Sequence, residues 1–245
     1  MRRQMTPQLL LMSLLGMLTL GSSAPARAAV LQLAWDHCLG DGGTPLRAFS
    51  CATNTGASPM VVSFVLDAPL DDVRVVDYAL EMHSSSGQPV PVWWQLQTGC
   101  RAGSISVVGA LPLPSVECPD WAPSALSGAV LSHYNFQLPS PDRARIGALT
   151  TVAIPVGPFH GVSLAAGTEY LGLRVLVGHA NSTGSTACGG CLEPMVWALT
   201  GASFGSTVTL LNLTGTPGRS AVAWQGQLPT PARNRTWAEV KALYH

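Results

Sequence analysis

The sequence has few charged residues and almost no lysine. Charged side chains make up 11% of the 245 residues, and Lys241 is the only lysine. The 13 basic residues equal the 13 acidic ones in number, and they form no cluster beyond the pair Arg2 and Arg3. Binding to nucleic acid or to an anionic membrane depends on clustered positive charge, because cationic side chains displace the counterions of phosphate groups. The composition therefore argues against both kinds of partner.

The sequence also lacks an apolar segment long enough to span a bilayer. The N-terminal stretch Leu9–Leu20 has 12 residues, whereas a transmembrane helix needs about 20. Gly, Pro or charged residues interrupt the later apolar stretches. We therefore predict that the chain has no membrane span.

The N-terminus has the three parts of a secretory signal peptide. Arg2 and Arg3 supply a positive region, Leu9–Leu20 an apolar region, and Ala26-Arg27-Ala28 a small-x-small cleavage site. We predict cleavage after Ala28 and a secreted or periplasmic location. Cleavage removes three arginines, so ten basic residues remain against 13 acidic ones, a net charge of −3.

Six cysteines follow the predicted cleavage site, which favours a disulfide framework in an exported chain. Six cysteines allow about 15 connectivities, and the sequence does not choose among them. Pairing of neighbours along the chain is the simplest expectation and would close loops of 12, 17 and 2 intervening residues. The expected bonds are Cys38–Cys51, Cys100–Cys118 and Cys188–Cys191.

Short stretches of alternating apolar and polar residues predict an all-β fold. In Met60–Leu66 every second residue is apolar, and Arg74–Met82 places Val76, Tyr78, Leu80 and Met82 on one face. Leu171–Val177 and Tyr134–Leu138 alternate in the same way. Further strands are predicted at Val30–Trp35, Arg47–Thr53, Val90–Gln97, Ile105–Val108, Arg145–Ile154, Met195–Leu199, Val208–Leu213 and Ala221–Gln225.

About a dozen short strands favour a two-sheet antiparallel sandwich of the jelly-roll or Ig-like type, over residues 29–229. Residues 230–245 are predicted to form a linker and a short C-terminal helix. Thr236 and Glu239 have the spacing of a capping box, and Trp237 and Val240 would lie on its apolar face.

Motifs for catalysis or metal binding are missing. No serine lies in a G-x-S-x-G elbow, so a hydrolase triad has no support. Asp36, Asp41, Asp71 and Asp72 lie in loop-like segments that would suit calcium, but they lack alternating D-x-D-x-D spacing and are better interpreted as turn formers. We predict no catalytic residue, no metal site and no cofactor.

Cys188-Gly-Gly-Cys191 is the sharpest local motif. A thiol-redox pair is one interpretation, but that chemistry favours a thiolate at a helix N-terminus, and no helical periodicity begins here. A zinc site would need two more ligands, and only His179 is nearby. A small structural disulfide is the favoured interpretation.

Trp93 is the candidate ligand-binding residue. If Val90–Gln97 is a strand, Trp94 shares the core face with Val92 and Leu96, and Trp93 shares the outer face with Gln95 and Gln97. An exposed indole beside amides would suit carbohydrate, because the ring stacks on a sugar face while amides bond its hydroxyls. The competing interpretation is that Trp93 is covered, since large aromatic residues are buried on average.

The chain resembles a group of exported proteins of Gram-negative, largely environmental, bacteria with no assigned activity. The resemblance extends over most of the mature chain and implies a bacterial origin and disulfide pairing, but no catalytic residue. It is carried by Trp35-Asp36-His37-Cys38, Gly42-Gly43-Thr44, Arg47 to Cys51, Asn54-Thr55-Gly56, Trp93-Trp94-Gln95, Gly99-Cys100-Arg101, Cys118, Gly167-Thr168-Glu169-Tyr170, Cys188 to Cys191, and the closing segments 234–237 and 241–244.

From these observations we expect a non-catalytic exported binding or structural module. Its predicted partner is a carbohydrate or another exported protein. The alternative is an exported enzyme, either carbohydrate-active or thiol-redox.

Overall fold

A computed structural model describes residues 28–109, 118–122, 127–152, 161–206, 209–226 and 228, and all structural statements concern these residues. The predicted signal peptide (all but Ala28) and the predicted C-terminal helix, with Trp237 and Val240, lie outside them. The described strands are β1 (Val30–Trp35), β2 (Leu46–Arg47), β3 (Ala57–Val65), β4 (Leu70–Ser84), β5 (Ile105–Val108), β6 (Ser127–Phe136), β7 (Arg143–Val152), β8 (Val162–Leu164), β9 (Glu169–Gly178), β10 (Met195–Ser206), β11 (Leu210–Thr214) and β12 (Ala221–Trp224).

The strands form two sheets. The small sheet has the order β1-β3-β9-β5, and all of its pairs are antiparallel. The large sheet has the order β2-β12-β10-β4-β7-β6, with β11 paired to β10 and β8 paired to β4. Its one parallel pair joins β12 to β2. The predicted all-β, two-sheet, mainly antiparallel architecture is therefore confirmed. The jelly-roll or Ig-like topology stays a prediction.

Residues from both sheets share one hydrophobic core. The apolar face predicted for β4 is buried, because Val76, Tyr78, Leu80 and Met82 are each at most 2% exposed. Across the core, the rings of Phe64 on β3 and Phe204 on β10 are 4.8 Å apart. Burial of alternate residues from each sheet supplies the main stabilising free energy, in proportion to the apolar area removed from water.

A β-bulge at Gly172 turns part of β9 to the other face of the small sheet. Val62 pairs with Leu173, but Ser63 pairs with Leu171, so Gly172 is the extra residue. Its Cα approaches Tyr78 so closely that a Cβ would lie 2.6 Å from the phenol oxygen. Because of the bulge, Leu171 packs with Val61 and with Cys38 and Cys118 in a second, smaller apolar cluster. Part of the outer face of the small sheet is therefore covered.

The disulfides join distant segments, so the predicted pairing of neighbours is wrong. The bonds are Cys38–Cys118, Cys51–Cys191 and Cys100–Cys188, with sequence separations of 80, 140 and 88. The sheets cause this arrangement, because antiparallel pairing brings loops from different parts of the chain to the same end of the molecule. Three disulfides indicate an oxidising, extracellular-type environment.

Two tyrosines, the buried Tyr78 and the half-buried Tyr134, have raised pKa values. Desolvation raises the pKa of Tyr78 well above its ordinary value, with a further contribution from the Asp120 carboxylate. Desolvation also raises the pKa of Tyr134, whose hydroxyl donates to the carbonyl of Trp94.

We expect stability to fall as pH rises above about 10, the ordinary tyrosine value. A raised pKa means that the folded state holds its proton where the unfolded state has released it, which favours unfolding with increasing pH. Tyrosinate absorbance, recorded together with circular dichroism, should show Tyr78 and Tyr134 ionising only as the fold is lost. Tyr78→Phe should reduce the absorbance step at unfolding. Ionisation of both tyrosines in a fully folded protein would contradict this prediction.

Candidate binding cleft

The structure contradicts the predicted exposure of Trp93. Val92–Trp94 is a single 3-10 turn and not part of a strand, so the two-residue alternation does not apply. Trp93 and Trp94 are both fully buried. Gln95 is half-buried and donates to the carbonyl of Val90 at 3.3 Å, while Gln97 is exposed. The proposed carbohydrate surface of Trp93, Gln95 and Gln97 is therefore not formed.

Trp93 instead belongs to a cluster of aromatic rings at one end of the core. It lies 4.8 Å from the ring of Trp94 and 5.4 Å from that of Trp224. The buried guanidinium of Arg101 lies over its other face, 3.7 Å from the ring centroid. Burial lowers the pKa of Arg101 to about 10, so the side chain stays charged at neutral pH. This region is part of the core, and its aromatic surface is closed to ligands.

The Cys188-Gly-Gly-Cys191 motif is divided between two disulfides. Cys188 bonds to Cys100, and Cys191 bonds to Cys51. Each bond ties one end of the motif to a different loop, which is a structural use of the cysteines. The two sulfurs of the motif do not form the local pair that a dithiol oxidoreductase uses.

Two of the four loop aspartates form ion pairs with nearby arginines. Asp36 forms an ion pair with Arg47 at 2.5 Å, and Asp72 forms one with Arg74 at 3.1 Å. Within the described part of the chain, no group of three or more His, Cys, Asp or Glu side chains is placed to hold a metal ion.

A cleft lies on the open half of the outer face of the small sheet, and we call it the Gln32 cleft. Its volume is about 690 Å³, within the range of small-molecule sites. The strand positions Val30, Gln32, Val65 and Glu169 line its floor. The turns at Leu39–Gly40 and Gly218–Arg219 form two of its sides, and Gly167 completes the lining. Ala28, the last residue of the predicted signal peptide, also lies at the cleft in the uncleaved chain.

The strand register places the floor residues in two rows. Val30 pairs with Val65, and Val65 pairs with Glu169, so these three form one row across β1, β3 and β9. Gln32 pairs with Ser63 in the next row. The Ser63 hydroxyl donates to Glu169 Oε1 at 2.6 Å and thereby links the two rows. Polar groups therefore cross the sheet from the edge strand β1 to β9.

Glu169 is held in place by both of its oxygens. Oε1 accepts from Ser63, and Oε2 accepts from the backbone N–H of Gly40 at 3.0 Å. A Cβ at Gly40 would collide with Oε2, so glycine permits this contact. The carboxylate is thus a fixed negative charge with lone pairs left to accept further hydrogen bonds.

Gln32 is the unusual member of the cleft. Its side chain is 4% exposed, yet its amide makes no hydrogen bond with any residue that the structure describes. The amide nitrogen and oxygen are not among the fully buried, unpartnered polar atoms of the described residues, so they are open to the cleft. Polar atoms in such a position are bonded to water or to a ligand.

Arg219 supplies the opposite charge. The backbone N–H of Leu33 donates to its carbonyl at 2.9 Å, which fixes the turn against the free edge of β1. Its side chain is exposed and has no hydrogen bond or ion pair with the residues described here. The Gln32 cleft therefore has a fixed carboxylate on one side, a free guanidinium on the other, and an amide between them.

Two other features of the described residues carry polar groups. A smaller cleft of about 340 Å³ lies on the large sheet, where Glu81 is already paired with Arg143 and His133 lies over Gly147. Arg174 is 1% exposed and its guanidinium has no hydrogen-bond partner among the described residues, but Asp120 lies near enough to act on its pKa. None of the described cavities includes Arg174.

The three polar residues of the cleft, Gln32, Glu169 and Arg219, are not recognisable as a site in the sequence. Gln32 had a signal, because it is a polar residue between Leu31 and Leu33 in a strand with buried residues on both sides. Glu169 and Arg219 had none, since each is an ordinary charged residue next to a turn. Gln32, Glu169 and Arg219 come together only in the folded protein, because β3 pairs with both β1 and β9.

Comparisons with known proteins do not assign the chain to a family. No protein-family model, curated protein or solved structure matches it. The helices of the described segments are all too short to cross a membrane.

Proposed function

We propose that this chain is a non-catalytic, exported binding module that holds a small ligand in the Gln32 cleft. The observation that carries the proposal is the amide of Gln32, which has no hydrogen-bond partner among the described residues and faces a cleft of about 690 Å³. Ligand binding would supply the hydrogen bonds that the protein does not.

The polar groups favour binding over catalysis. Glu169 is the one acid that lines the cleft, and its contacts with Ser63 and Gly40 fix it as a hydrogen-bond acceptor. General acid–base catalysis commonly uses two titratable groups whose environments separate their pKa values. The cleft has the polar and apolar lining of a recognition site, with Val30 and Val65 as its apolar part. Secretion or periplasmic location is part of the same proposal.

The proposal is tested by mapping small-molecule contacts onto the disulfide-bonded protein. We expect that compounds which bind will shift the backbone NMR signals of Gln32, Gly40, Gly167 and Gly218. A ligand in the cleft changes the environment of these amides, whereas one on the large sheet would change that of Glu81.

A matched pair of variants provides the control. Val30→Trp should fill the cleft and abolish these shifts, since Val30 lines it. Val130→Trp, at a 53% exposed position on β6, should leave them unchanged. If a broad compound set shifts only signals outside the cleft, or if Val30→Trp binds as the parent protein does, the proposed function is wrong.

A further inference from the structure

The charges of the Gln32 cleft are arranged for a ligand that carries both signs. Glu169 lies on β9, and the Arg219 backbone lies beyond the free edge of β1, where its carbonyl accepts from Leu33. Between them are β1 and β3. Adjacent strands are about 4.8 Å apart, so the two backbones are separated by roughly 14 Å across the sheet. Leu33 lies three residues along β1 from Val30, whose row contains Glu169, and this offset of about 10 Å along the strands makes the distance roughly 17 Å.

Gln32 lies between the two charges. A primary amide offers two donors and an acceptor, and a peptide group offers one donor and one acceptor. The two can therefore bond reciprocally. Val30 and Val65, which line the same floor, would contact aliphatic side chains.

We propose that the Gln32 cleft binds a short peptide with free termini. This inference rests on the proposed function and names its ligand class. The peptide's carboxylate would bind the Arg219 guanidinium, which has no ion pair among the described residues. Its ammonium would donate to the Glu169 carboxylate, and a central peptide group would pair with Gln32.

The separation limits the length of the peptide. An extended chain spans at most about 3.3–3.6 Å per residue, so about five residues would cover 17 Å. The side chains of Arg219 and Glu169 reach inward from their backbones and shorten this distance. Peptides of two to four residues, with small apolar side chains, are the expected ligands.

The test compares four forms of one peptide, Ala-Val-Ala, by calorimetry and NMR titration of the disulfide-bonded protein. The forms have free termini, an acetylated N-terminus, an amidated C-terminus, or both modifications. We expect the free form to bind most tightly and each single modification to weaken binding by on the order of tenfold, as the loss of one charge-assisted hydrogen bond would.

Arg219→Gln isolates the carboxylate contact. This variant should bind the free and the C-amidated peptide equally, whereas the preference for a free N-terminus should persist. It should fold normally, because the Arg219 side chain is exposed, and thermal unfolding would check this. Arg145→Gln, an exposed arginine on the large sheet, is the matched control and should retain both preferences.

The outcomes separate this inference from the proposed function. If all four forms shift the cleft signals with equal affinity, recognition of free termini is wrong, but the cleft remains a binding site. If no peptide binds while other compounds shift those signals, the peptide class is wrong. If nothing shifts them, both proposals are wrong.

Discussion

Trp93→Ala should lower the free energy of unfolding by about 3–5 kcal/mol, the usual cost of truncating a large aromatic residue in a core. The indole is fully buried, and its Nε1 donates to Ser182 Oγ at 3.1 Å. Removing it leaves a cavity against Trp224 and takes away the ring beneath the Arg101 guanidinium. Arg101 would then remain buried without its cation–π partner.

Urea denaturation followed by circular dichroism measures this effect. Val92→Ala is the matched control, because Val92 is the preceding residue in the same turn and is 48% exposed. We expect its effect to stay within about 0.5 kcal/mol. A Trp93→Ala protein as stable as Val92→Ala would contradict the burial of this side chain.

Removing the Cys51–Cys191 disulfide should have an effect of similar size. The bond joins residues 140 apart in the sequence, but the other two disulfides shorten the loop that it closes to about 34 residues, for which the chain-entropy model assigns roughly 4 kcal/mol. The double variant Cys51→Ala, Cys191→Ala should therefore unfold at a much lower urea concentration than the parent protein. An unchanged midpoint would show that this bond does not constrain the unfolded chain.

A single variant tests the pairing itself. In Cys188→Ala, the partner cysteine becomes a free thiol, which alkylation and peptide mapping can identify. The structure predicts a label on Cys100. A label on Cys191 would support the local pairing expected from the sequence and would contradict the structure.

Strand positions were predictable where local alternation determines them. The predicted bounds of Val30–Trp35 and Ile105–Val108 agree with β1 and β5. These segments carry their signal within a few residues, because one face of each must be apolar to join the core. β8, which has three residues, was not predicted, since it is too short to show a period.

Trp93 shows where that reasoning fails. Val90–Gln97 is as apolar as a strand, but it is a turn packed inside the aromatic cluster. Pro91 begins this turn, and the chain from Val92 to Gln95 closes it with a hydrogen bond of 3.1 Å. A continuous apolar run does not distinguish a strand from a buried turn. The rule that successive side chains point to opposite faces holds only for a strand, so it gave the wrong exposure for Trp93.

The binding cleft and the disulfides depend on contacts between distant residues. Gln32 and Glu169 line the same cleft only because β3 pairs with both β1 and β9. Likewise, Cys51 meets Cys191 because the loop after β2 and the loop before β10 lie at the same end of the core. The sequence carries no local signal of such distances, and spacing between cysteines is therefore a poor guide to their pairing.

The disulfide connectivity has a consequence for how the protein matures. A chain that enters an oxidising compartment from its N-terminus exposes Cys38 and Cys51 first, and these two are not partners. None of the three bonds joins cysteines that are consecutive in the sequence. If cysteines were oxidised as soon as they entered the compartment, Cys38 and Cys51 would form a non-native bond. These two thiols must therefore stay reduced until Cys118 and Cys191 have entered, or their first bond must later be replaced by disulfide exchange. Efficient production of this protein should therefore depend on a disulfide isomerase as well as on an oxidant.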